Sequence, residues 1–315
     1  VSPNTLFVFT DHALGPWIPL VKGFHHVIHC HDFLAQKSAL GQIPENPTQW
    51  TGRQYQAFIR RGYREGKNFI SVSKKTQEDL HLFLSSKPLT SEVVYNVLHQ
   101  SFFPQDKNAA RDLFGRRINL DLTSGFILHV GGNSWYKNRG GVIEIYNAMR
   151  IAGCRRIPLL LVGSAPTEEL LTKQSQSNFK TDIHWLIDIE DEFVRTAYSG
   201  ASVFLFPSLA EGFGWPIAEA MASGCPVVTT NEAPMTEVAG DAGFLIQRRP
   251  GEQSSSAGWA ETAANVVVQV LNLNPEVLET KIKEGIENAK RFDTQLTLDR
   301  LESIYSNILR NSERL

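Results

Sequence analysis

The chain has 315 residues, of which 42% are hydrophobic and 20% charged, and its formal net charge at pH 7 is −2. This length suits one large or two medium domains, and the near-neutral charge argues against a polyanionic partner such as nucleic acid. Cys30, Cys154 and Cys225 show no CxxC spacing, which argues against a disulfide framework or a cysteine zinc site. No apolar run reaches the length of a membrane span and no signal segment opens the chain, so we expect a cytoplasmic protein.

The first part of the chain alternates β-rich apolar runs with helical patterns. Strands are predicted over 6–10, 25–30, 68–73 and 92–98, and a polar helix over 49–65. The charged, weakly periodic segment 104–121 is interpreted as the connection between two domains. Because the first strand begins almost at once and no initiator methionine precedes it, we expect that the chain starts inside a domain or lacks an N-terminal portion.

The second part repeats this alternation more clearly. Strands are predicted over 125–132, 157–163, 182–187, 203–208, 225–230 and 243–246, and helices over 138–152, 168–177, 190–199, 216–223 and 232–239. Four of these strands are nearly all apolar, as expected for strands covered on both faces. A polar loop over 248–258 and two or three further helices, the last over 297–309, complete the chain. The pattern predicts two doubly wound α/β domains, with a ligand at the carboxyl ends of the strands in the cleft between them.

The stretch SLAEGFGWPIAEAMASGCPVV, residues 208–228, reads as strand end, glycine loop and helix start. Gly212 and Gly214 permit a positive φ or the close approach of a ligand. Pro216 suits the start of a helix and Gly224 its C-terminal cap. Free N–H groups over 213–217 would make an anion site.

Two glutamates flank this loop. Glu219, expected in the first helical turn, can accept hydrogen bonds from two hydroxyl groups, and Glu211 lies in the loop itself. The alternative is that Glu219 only complements the helix dipole and that Glu211 is a solvated loop residue.

The stretch EGFGWPIAEAMASGCPVV resembles the E-x7-E region of retaining glycosyltransferases of the GT4 (group 1) family. The segments FILHVGG, YKNRGGVIEIYNAM, LLLVGSAP, AYSGASVFLFPS and TNEAPMTEVAGDAGFLI match the family in order and spacing, and HHVIHCHDF and FISVSKKTQEDL match it more weakly. The resemblance implies an α/β protein of GT-B architecture: two Rossmann-like doubly wound domains facing a cleft, the N-terminal one apparently short. It implies an acceptor-side domain over 1–112, a nucleotide-sugar domain over 113–295, and a C-terminal helix over 296–315 that packs back on the first domain.

The resemblance assigns roles to the glycine loop residue by residue. Glu219 matches the glutamate that binds both ribose hydroxyls, and Glu211 matches the one at the transferred sugar. Phe213, Gly214 and Trp215, beside Gly212, match the loop whose backbone N–H groups contact the sugar and the diphosphate. Two acceptor carboxylates with N–H donors between them suit hydroxyls on either side of a phosphate.

Lys137 matches the family's phosphate-binding lysine, where a cation would stabilise the diphosphate leaving group. The alternative is a solvated lysine at a helix start. Many relatives carry an arginine directly after the glycine, where this chain has Gly132 and Asn133. Either Arg139 supplies the missing charge, or Gly131 and Gly132 contribute backbone N–H groups instead.

His31 aligns with the histidine of the N-terminal domain that reaches toward the donor sugar in this family. The alternative interpretation is that His31 has only a structural role, as a hydrogen-bonded residue at a strand end. His29 shares a strand face with it, but no matching carboxylate–histidine pair suggests a metal. Ser164 and Asp188 follow strands where the family holds the base, chiefly through its backbone. We therefore expect His31, Lys137 and Glu211 to be catalytic, with no metal and no cofactor beyond the donor substrate.

The implied function is retaining transfer of a sugar from a UDP- or GDP-sugar to a saccharide, a lipid-linked or another hydroxyl acceptor, by front-face displacement. The alternative is a nucleotide-sugar-binding protein with a deficient acceptor domain and little transferase activity. An epimerase is disfavoured by the E-x7-E pattern, and a dinucleotide dehydrogenase by the absence of GxGxxG after the early strands. Peripheral contact with the inner face of a membrane is left open, although no strongly basic amphipathic helix stands out to support it. The sequence does not predict the oligomeric state.

Overall fold

The computed structural model describes residue 2, residues 5–251 and residues 253–310, with the side chains of 253–255 excepted. The chain divides into two compact units. The first comprises Val1–Val97, Glu211–Phe213 and Phe292–Leu315, and the second comprises Leu98–Ala210 and Gly214–Arg291. The predicted C-terminal helix over 296–315 is thus part of the first unit, and its residues 311–315 lie outside the described residues.

The first unit contains a sheet of four parallel strands in chain order. They are β1 (Leu6–Phe9), β2 (His25–Cys30), β3 (Asn68–Ser71) and β4 (Thr90–Val93). The helices are α1 (Ile18–Val21), α2 (Leu34–Ala39), α3 (Trp50–Tyr63), α4 (Lys74–Phe83) and, from the end of the chain, α13 (Thr294–Arg310). All four strands were predicted, although β4 begins two residues before the predicted start at residue 92 and ends at Val93.

Helices cover this sheet on both faces. Successive residues of a strand point to opposite faces, so the apolar side chains on each face need a helix to pack against. Ile28 of β2 packs with Ile59 of α3 and Leu80 of α4 in one apolar cluster. Its neighbour Val27 packs with Ile304 of α13 in another. Burial on both faces explains why β2 lacks a simple alternation of apolar and polar residues.

The second unit contains a sheet of six parallel strands, all of them predicted. They are β5 (Ile127–Val130), β6 (Leu159–Val162), β7 (Ile183–Leu186), β8 (Val203–Phe206), β9 (Val227–Thr230) and β10 (Phe244–Ile246). The helices are α5 (Lys107–Ile118), α6 (Arg139–Ile151), α7 (Glu168–Ser175), α8 (Asp191–Gly200), α9 (Trp215–Ala222), α10 (Met235–Ala239), α11 (Gln253–Leu271) and α12 (Pro275–Ala289).

The segment 104–121, interpreted above as the connection between two domains, is largely helical. Its centre forms α5, which the Asp106 side chain caps by accepting a hydrogen bond from the Ala109 N–H at 2.8 Å. Only a narrow stripe with Ala110 and Phe114 is buried, and the remaining charged positions hide the helical period. The predicted polar loop over 248–258 likewise gives way to α11 at Gln253.

The strand order of the second sheet, β10-β9-β8-β5-β6-β7, reverses direction between β5 and β8. In doubly wound sheets, ligands bind beyond the carboxyl ends of the strands at such a reversal. Two chain segments leave the sheet at this point: residues 131–138 after β5 and residues 207–214 after β8, called here the β5 loop and the β8 loop. They contain most of the residues that the sequence singled out.

An ion cluster centred on Asp182 lies at the start of β7 in the second unit. Asp182 accepts hydrogen bonds from Arg150 at 2.5 Å and from Arg156 at 2.8 Å, and the side chains of Asp182 and Arg150 are 9% and 11% exposed. Asp182→Asn would leave the Arg150 charge buried without its anion, at a cost of about 3 kcal/mol or more. We expect it to lower Tm by several degrees in calorimetry. Asp112→Asn, which breaks the exposed pair with Arg116, is the control and should cost less than about 1 kcal/mol; equal shifts would contradict the prediction.

Candidate functional site

The β5 loop and the β8 loop are joined by hydrogen bonds at the strand-order reversal. The Tyr136 carbonyl accepts from the Leu209 N–H at 2.7 Å and from the Ser208 hydroxyl at 2.8 Å. The Asn138 side-chain amide donates to the Pro207 carbonyl at 2.9 Å, while its carbonyl oxygen caps α6 by accepting from the Gly141 N–H. The two loops therefore form one hydrogen-bonded surface at the carboxyl edge of the sheet.

The predicted turn into α9 is present. Gly214 is the N-cap residue with φ of 105°, a conformation that favours glycine, and α9 begins at Trp215 with Pro216 in its first turn. Gly224, with φ of 74°, follows the end of the helix as predicted. Glu219 lies one residue beyond the predicted first turn, where the effect of the helix dipole has largely decayed.

Glu219 is held by a buried tyrosine that the sequence did not reveal. The Tyr198 hydroxyl donates to Glu219 Oε2 at 2.9 Å, and the Tyr198 ring is fully buried against Phe204. Burial raises the pKa of Glu219, and the Tyr198 hydroxyl and the Lys137 charge offset this only in part. An ionised carboxylate accepts about four hydrogen bonds, so Glu219 retains acceptor capacity for further hydroxyl groups.

Glu219 lines a cavity of about 720 Å³ together with two other predicted residues, Ser164 and Asp188. Asp188 has φ of 54°, uncommon for a residue with a side chain and frequent at functional sites. Four polar cavity residues that the sequence analysis missed are His99, Ser101, Asp191 and Arg195. The first two follow a strand without any helical or strand period, so no local signal pointed to them.

The Arg139 side chain turns back onto the β5 loop. Its guanidinium donates to the Asn133 side chain at 2.5 Å and to the Ser164 carbonyl at 2.8 Å, and lies 4.6 Å from the Trp185 ring centre. The residue is 3% exposed, and burial lowers its pKa to about 10. Arg139 thus places a positive charge beside Asn133.

His129 lies beneath the β5 loop and was not predicted. Its Nδ1–H donates to the Leu205 carbonyl at 2.9 Å, and burial lowers its pKa to about 3, so the ring is neutral. A Cβ atom at Gly131 would lie 3.1 Å from His129 Nε2 and 3.4 Å from Lys137 Cδ. Glycine at this position therefore lets the loop backbone and the Lys137 chain pack over the histidine.

Lys137 ends a short 3-10 turn, Trp135–Lys137, at the mouth of the β5 loop. Its ammonium lies 4.9 Å from the ring centre of Phe206, the last residue of β8, and 5.3 Å from that of Tyr136. These aromatic faces favour a cation at the strand-order reversal. The structure thus brings Lys137, Arg139, Asn133 and Gly131 to the same edge as Glu219.

Three residues of the β8 loop, Glu211–Phe213, are grouped with the first unit, as is His31. A Cβ atom at Gly212 would lie 1.9 Å from the His31 carbonyl oxygen, so only glycine fits there. The His31 Nε2–H donates to the Thr10 carbonyl at 2.8 Å, which leaves its Nδ1 as an acceptor. Gly212 therefore lies close in space to the end of β2, although it is distant along the chain.

This edge of the second unit is similar in sequence to a known protein family. Residues 125–266 match the sequence model of the family described as "Glycosyl transferases group 1". That range contains the β5 loop, the β8 loop and α9. Residues 125–266, called here the group 1 region, are thus similar to the group 1 glycosyltransferases.

Curated relatives are similar to part of this chain. O-antigen chain mannosyltransferase B of Escherichia coli is 35% identical over 123 residues, which are 38% of this chain and 32% of the relative. The capsular polysaccharide biosynthesis glycosyltransferase CapM of Staphylococcus aureus is 26% identical over 220 residues, which are 67% of this chain and 53% of the relative. The chain thus spans about a third of the first relative and about half of the second.

A solved structure resembles nearly the whole chain. The Anabaena protein Alr3699/HepE, in complex with UDP and glucose, matches with a TM-score of 0.72 at 20% identity, over 94% of this chain and 75% of that one. This likeness, together with the two parallel sheets, confirms the predicted GT-B fold class.

Neither a cluster of metal-ligating side chains nor a helix suited to crossing a membrane is found among the described residues. Within residues 5–251 and 253–310, no group of three or more His, Cys, Asp and Glu side chains is placed to hold a metal ion. His29 of β2, predicted to share a strand face with His31, instead bonds through Nε2 to the Tyr305 hydroxyl of α13 at 2.7 Å, and His31 lies beyond the end of the strand. In the same part of the chain, no helix combines the length and apolarity that crossing a membrane requires.

The raised pKa of Glu219 predicts that the affinity of the group 1 region for a nucleotide-sugar depends on pH. Because the pKa of Glu219 is raised, its carboxylate becomes protonated at a higher pH than an exposed glutamate does. Protonation removes acceptor capacity, so donor affinity should fall as the pH drops through that raised pKa. Calorimetry with a nucleotide-sugar between about pH 8 and pH 5 tests this. The dependence should vanish in Glu219→Gln, and an unchanged slope in that variant would contradict the assignment.

Proposed function

We propose that the protein is a retaining hexosyltransferase that moves a sugar from a nucleotide-diphosphate sugar to a hydroxyl acceptor. The observation that carries the proposal is the half-buried Glu219, fixed by Tyr198 on the wall of a 720 Å³ cavity at the strand-order reversal. Named mannosyltransferases among the relatives and a structural neighbour that holds UDP support the same conclusion.

Each part of the donor has a matching group in this proposal. Glu219 accepts hydrogen bonds from the ribose hydroxyls, and the backbone at Ser164 and Asp188 contacts the base. The backbone N–H groups at the start of α9 and the Lys137 ammonium bind the diphosphate. Glu211 accepts from the hydroxyls of the transferred sugar.

The reaction breaks the bond between the anomeric carbon and the diphosphate oxygen and forms one between that carbon and the acceptor oxygen. The acceptor proton passes to the leaving diphosphate on the same face, so the anomeric configuration is retained. Lys137 stabilises the negative charge that develops on the leaving group. His31 lies on the acceptor side and contacts the transferred sugar. No metal takes part in this proposed scheme.

A thermal-shift screen of UDP- and GDP-sugars tests the donor assignment, because a ligand bound only by the folded state raises Tm. Transfer is then measured as nucleotide release with saccharide acceptors, and NMR of the product gives the anomeric configuration. We expect retention and activity in the presence of EDTA. If no donor raises Tm, the proposed function is wrong; an inverted product or loss of activity in EDTA would overturn the mechanism.

One observation favours the second candidate, a nucleotide-sugar-binding protein with little transferase activity. The described strands of the first sheet run in chain order, without the reversal at which doubly wound sheets bind ligands. That candidate predicts donor binding without nucleotide release for any acceptor, which the same two assays separate from transfer.

A further inference from the structure

Two hydroxyl groups at the start of α4 contact the β8 loop. Ser73 is the N-cap of α4: its Oγ accepts from the Thr76 N–H at 3.0 Å. The Ser73 hydroxyl also lies 2.7 Å from the Gly212 carbonyl oxygen, and the Thr76 hydroxyl lies 3.2 Å from the same oxygen. Both side chains are almost fully buried.

The helix cap does not account for the Ser73 proton. Capping uses a lone pair of Oγ, whereas a hydroxyl also has one proton to donate. The Gly212 carbonyl is its nearest acceptor, since the Thr76 hydroxyl is farther away at 3.0 Å. The Ser73 proton is therefore directed at the β8 loop.

The Gly212 peptide is confined on its other sides as well. The His31 carbonyl blocks any side chain at residue 212, and the Phe213 ring packs edge-on against Phe292 with ring centres 5.2 Å apart. Tyr95 contacts both rings. The hydroxyl pair thus acts on a backbone segment that has little room to rotate.

Orientation of this peptide matters because a trans peptide holds its C=O and the following N–H in opposite directions. The Gly212–Phe213 bond is not cis. When the Gly212 carbonyl points at Ser73 and Thr76, the Phe213 N–H must point away from α4. That N–H belongs to the loop assigned to the sugar and diphosphate.

We propose that Ser73 and Thr76 are positioning residues that fix the Gly212–Phe213 peptide, and through it the Phe213 N–H and the adjacent Glu211. This inference rests on the proposed function only for its effect on catalysis. The hydrogen bonds themselves can be tested without any substrate.

Spectroscopy provides the substrate-free test. The chain contains four Gly-Phe pairs, 23–24, 125–126, 212–213 and 243–244. Labelling glycine carbonyls with ¹³C and phenylalanine amides with ¹⁵N therefore selects four peptide signals. Phe213→Tyr removes the signal of interest and so assigns it. The two test variants are Thr76→Val, which removes one hydroxyl, and Ser73→Asp, which keeps the helix cap but has no proton to donate. In both variants we expect the Gly212 carbonyl signal to move while the other three signals stay in place.

Kinetics provides the second readout. We expect both variants to lose about tenfold in kcat, the effect of one hydrogen bond, while the Kd for UDP stays within about twofold. Thr76→Ser, which keeps the hydroxyl, should restore the rate. Asn274→Ala removes the cap of α12 and serves as the control for a purely structural loss.

The outcomes separate the two claims. A Gly212 carbonyl signal that stays in place in both variants overturns the inference, as does an unchanged kcat in a transferase that binds UDP. If the wild-type protein binds no nucleotide, the proposed function fails, while the carbonyl signal still decides whether the two hydroxyls hold the loop.

Discussion

Glu219→Ala is expected to weaken nucleotide-sugar binding about 100-fold. The change removes the carboxylate that we propose accepts hydrogen bonds from two ribose hydroxyls, and hydrogen bonds to charged groups are each worth about 1.5–3 kcal/mol. It also leaves the buried Tyr198 hydroxyl without its partner. A loss of about 3 kcal/mol corresponds to roughly two orders of magnitude in Kd, which calorimetry with this chain measures directly.

Two comparisons make this result specific to the ribose contact. Glu219→Gln keeps an acceptor for Tyr198 but loses the charge, so its Kd should lie between those of the wild type and Glu219→Ala. Glu279→Ala removes an exposed carboxylate of α12 that pairs with Lys283, and should leave Kd unchanged. An unaltered Kd in Glu219→Ala would remove the ribose assignment.

Lys137→Ala is expected to reduce kcat by about 10²–10³-fold, as the loss of one preorganised charge-stabilising group does in other enzymes. The reason is that, in the proposed reaction, negative charge grows on the diphosphate beside Lys137 as its bond to the sugar breaks. The ammonium therefore matters more in the transition state than in the bound donor. Single-turnover transfer assays give the rate, and calorimetry should show a much smaller change in donor Kd.

Substitution by arginine separates charge from packing at this position. Lys137→Arg keeps the cation beside Phe206 and should recover most of the rate, whereas Lys283→Ala removes an exposed lysine of α12 and should have no effect. If Lys137→Ala transfers sugar as fast as the wild type, Lys137 is only a solvated residue at a helix start.

The fold could be predicted in large part because its signals are local. Strands such as β6 and β8 are short apolar runs bounded by glycine, proline or polar residues, which is typical of strands buried on both faces. The helix within segment 104–121 was not predicted because α5 buries only a narrow stripe of residues, and packing against α8 stabilises it. Local periodicity cannot reveal a helix that its neighbour stabilises.

The same division holds within the site. Gly214, Pro216 and Gly224 encode the turn into α9 through their own backbone preferences, so the sequence alone determined where that helix starts and ends. Glu219 was recognisable from its spacing within a motif. Its raised pKa was not, because the burial that causes it comes from elements distant along the chain.

Only the tertiary structure decided which groups surround these motifs. Strand order places β5 beside β8, and so joins Tyr136 to Ser208 and sets His129 against Leu205, 76 residues away. The direction of the Arg139 side chain was likewise open until its partners Asn133 and Ser164 were known. Backbone preferences act over a few residues and are written in the sequence, whereas burial, charge pairing and hydrogen-bond partners depend on which distant segments the sheet brings together.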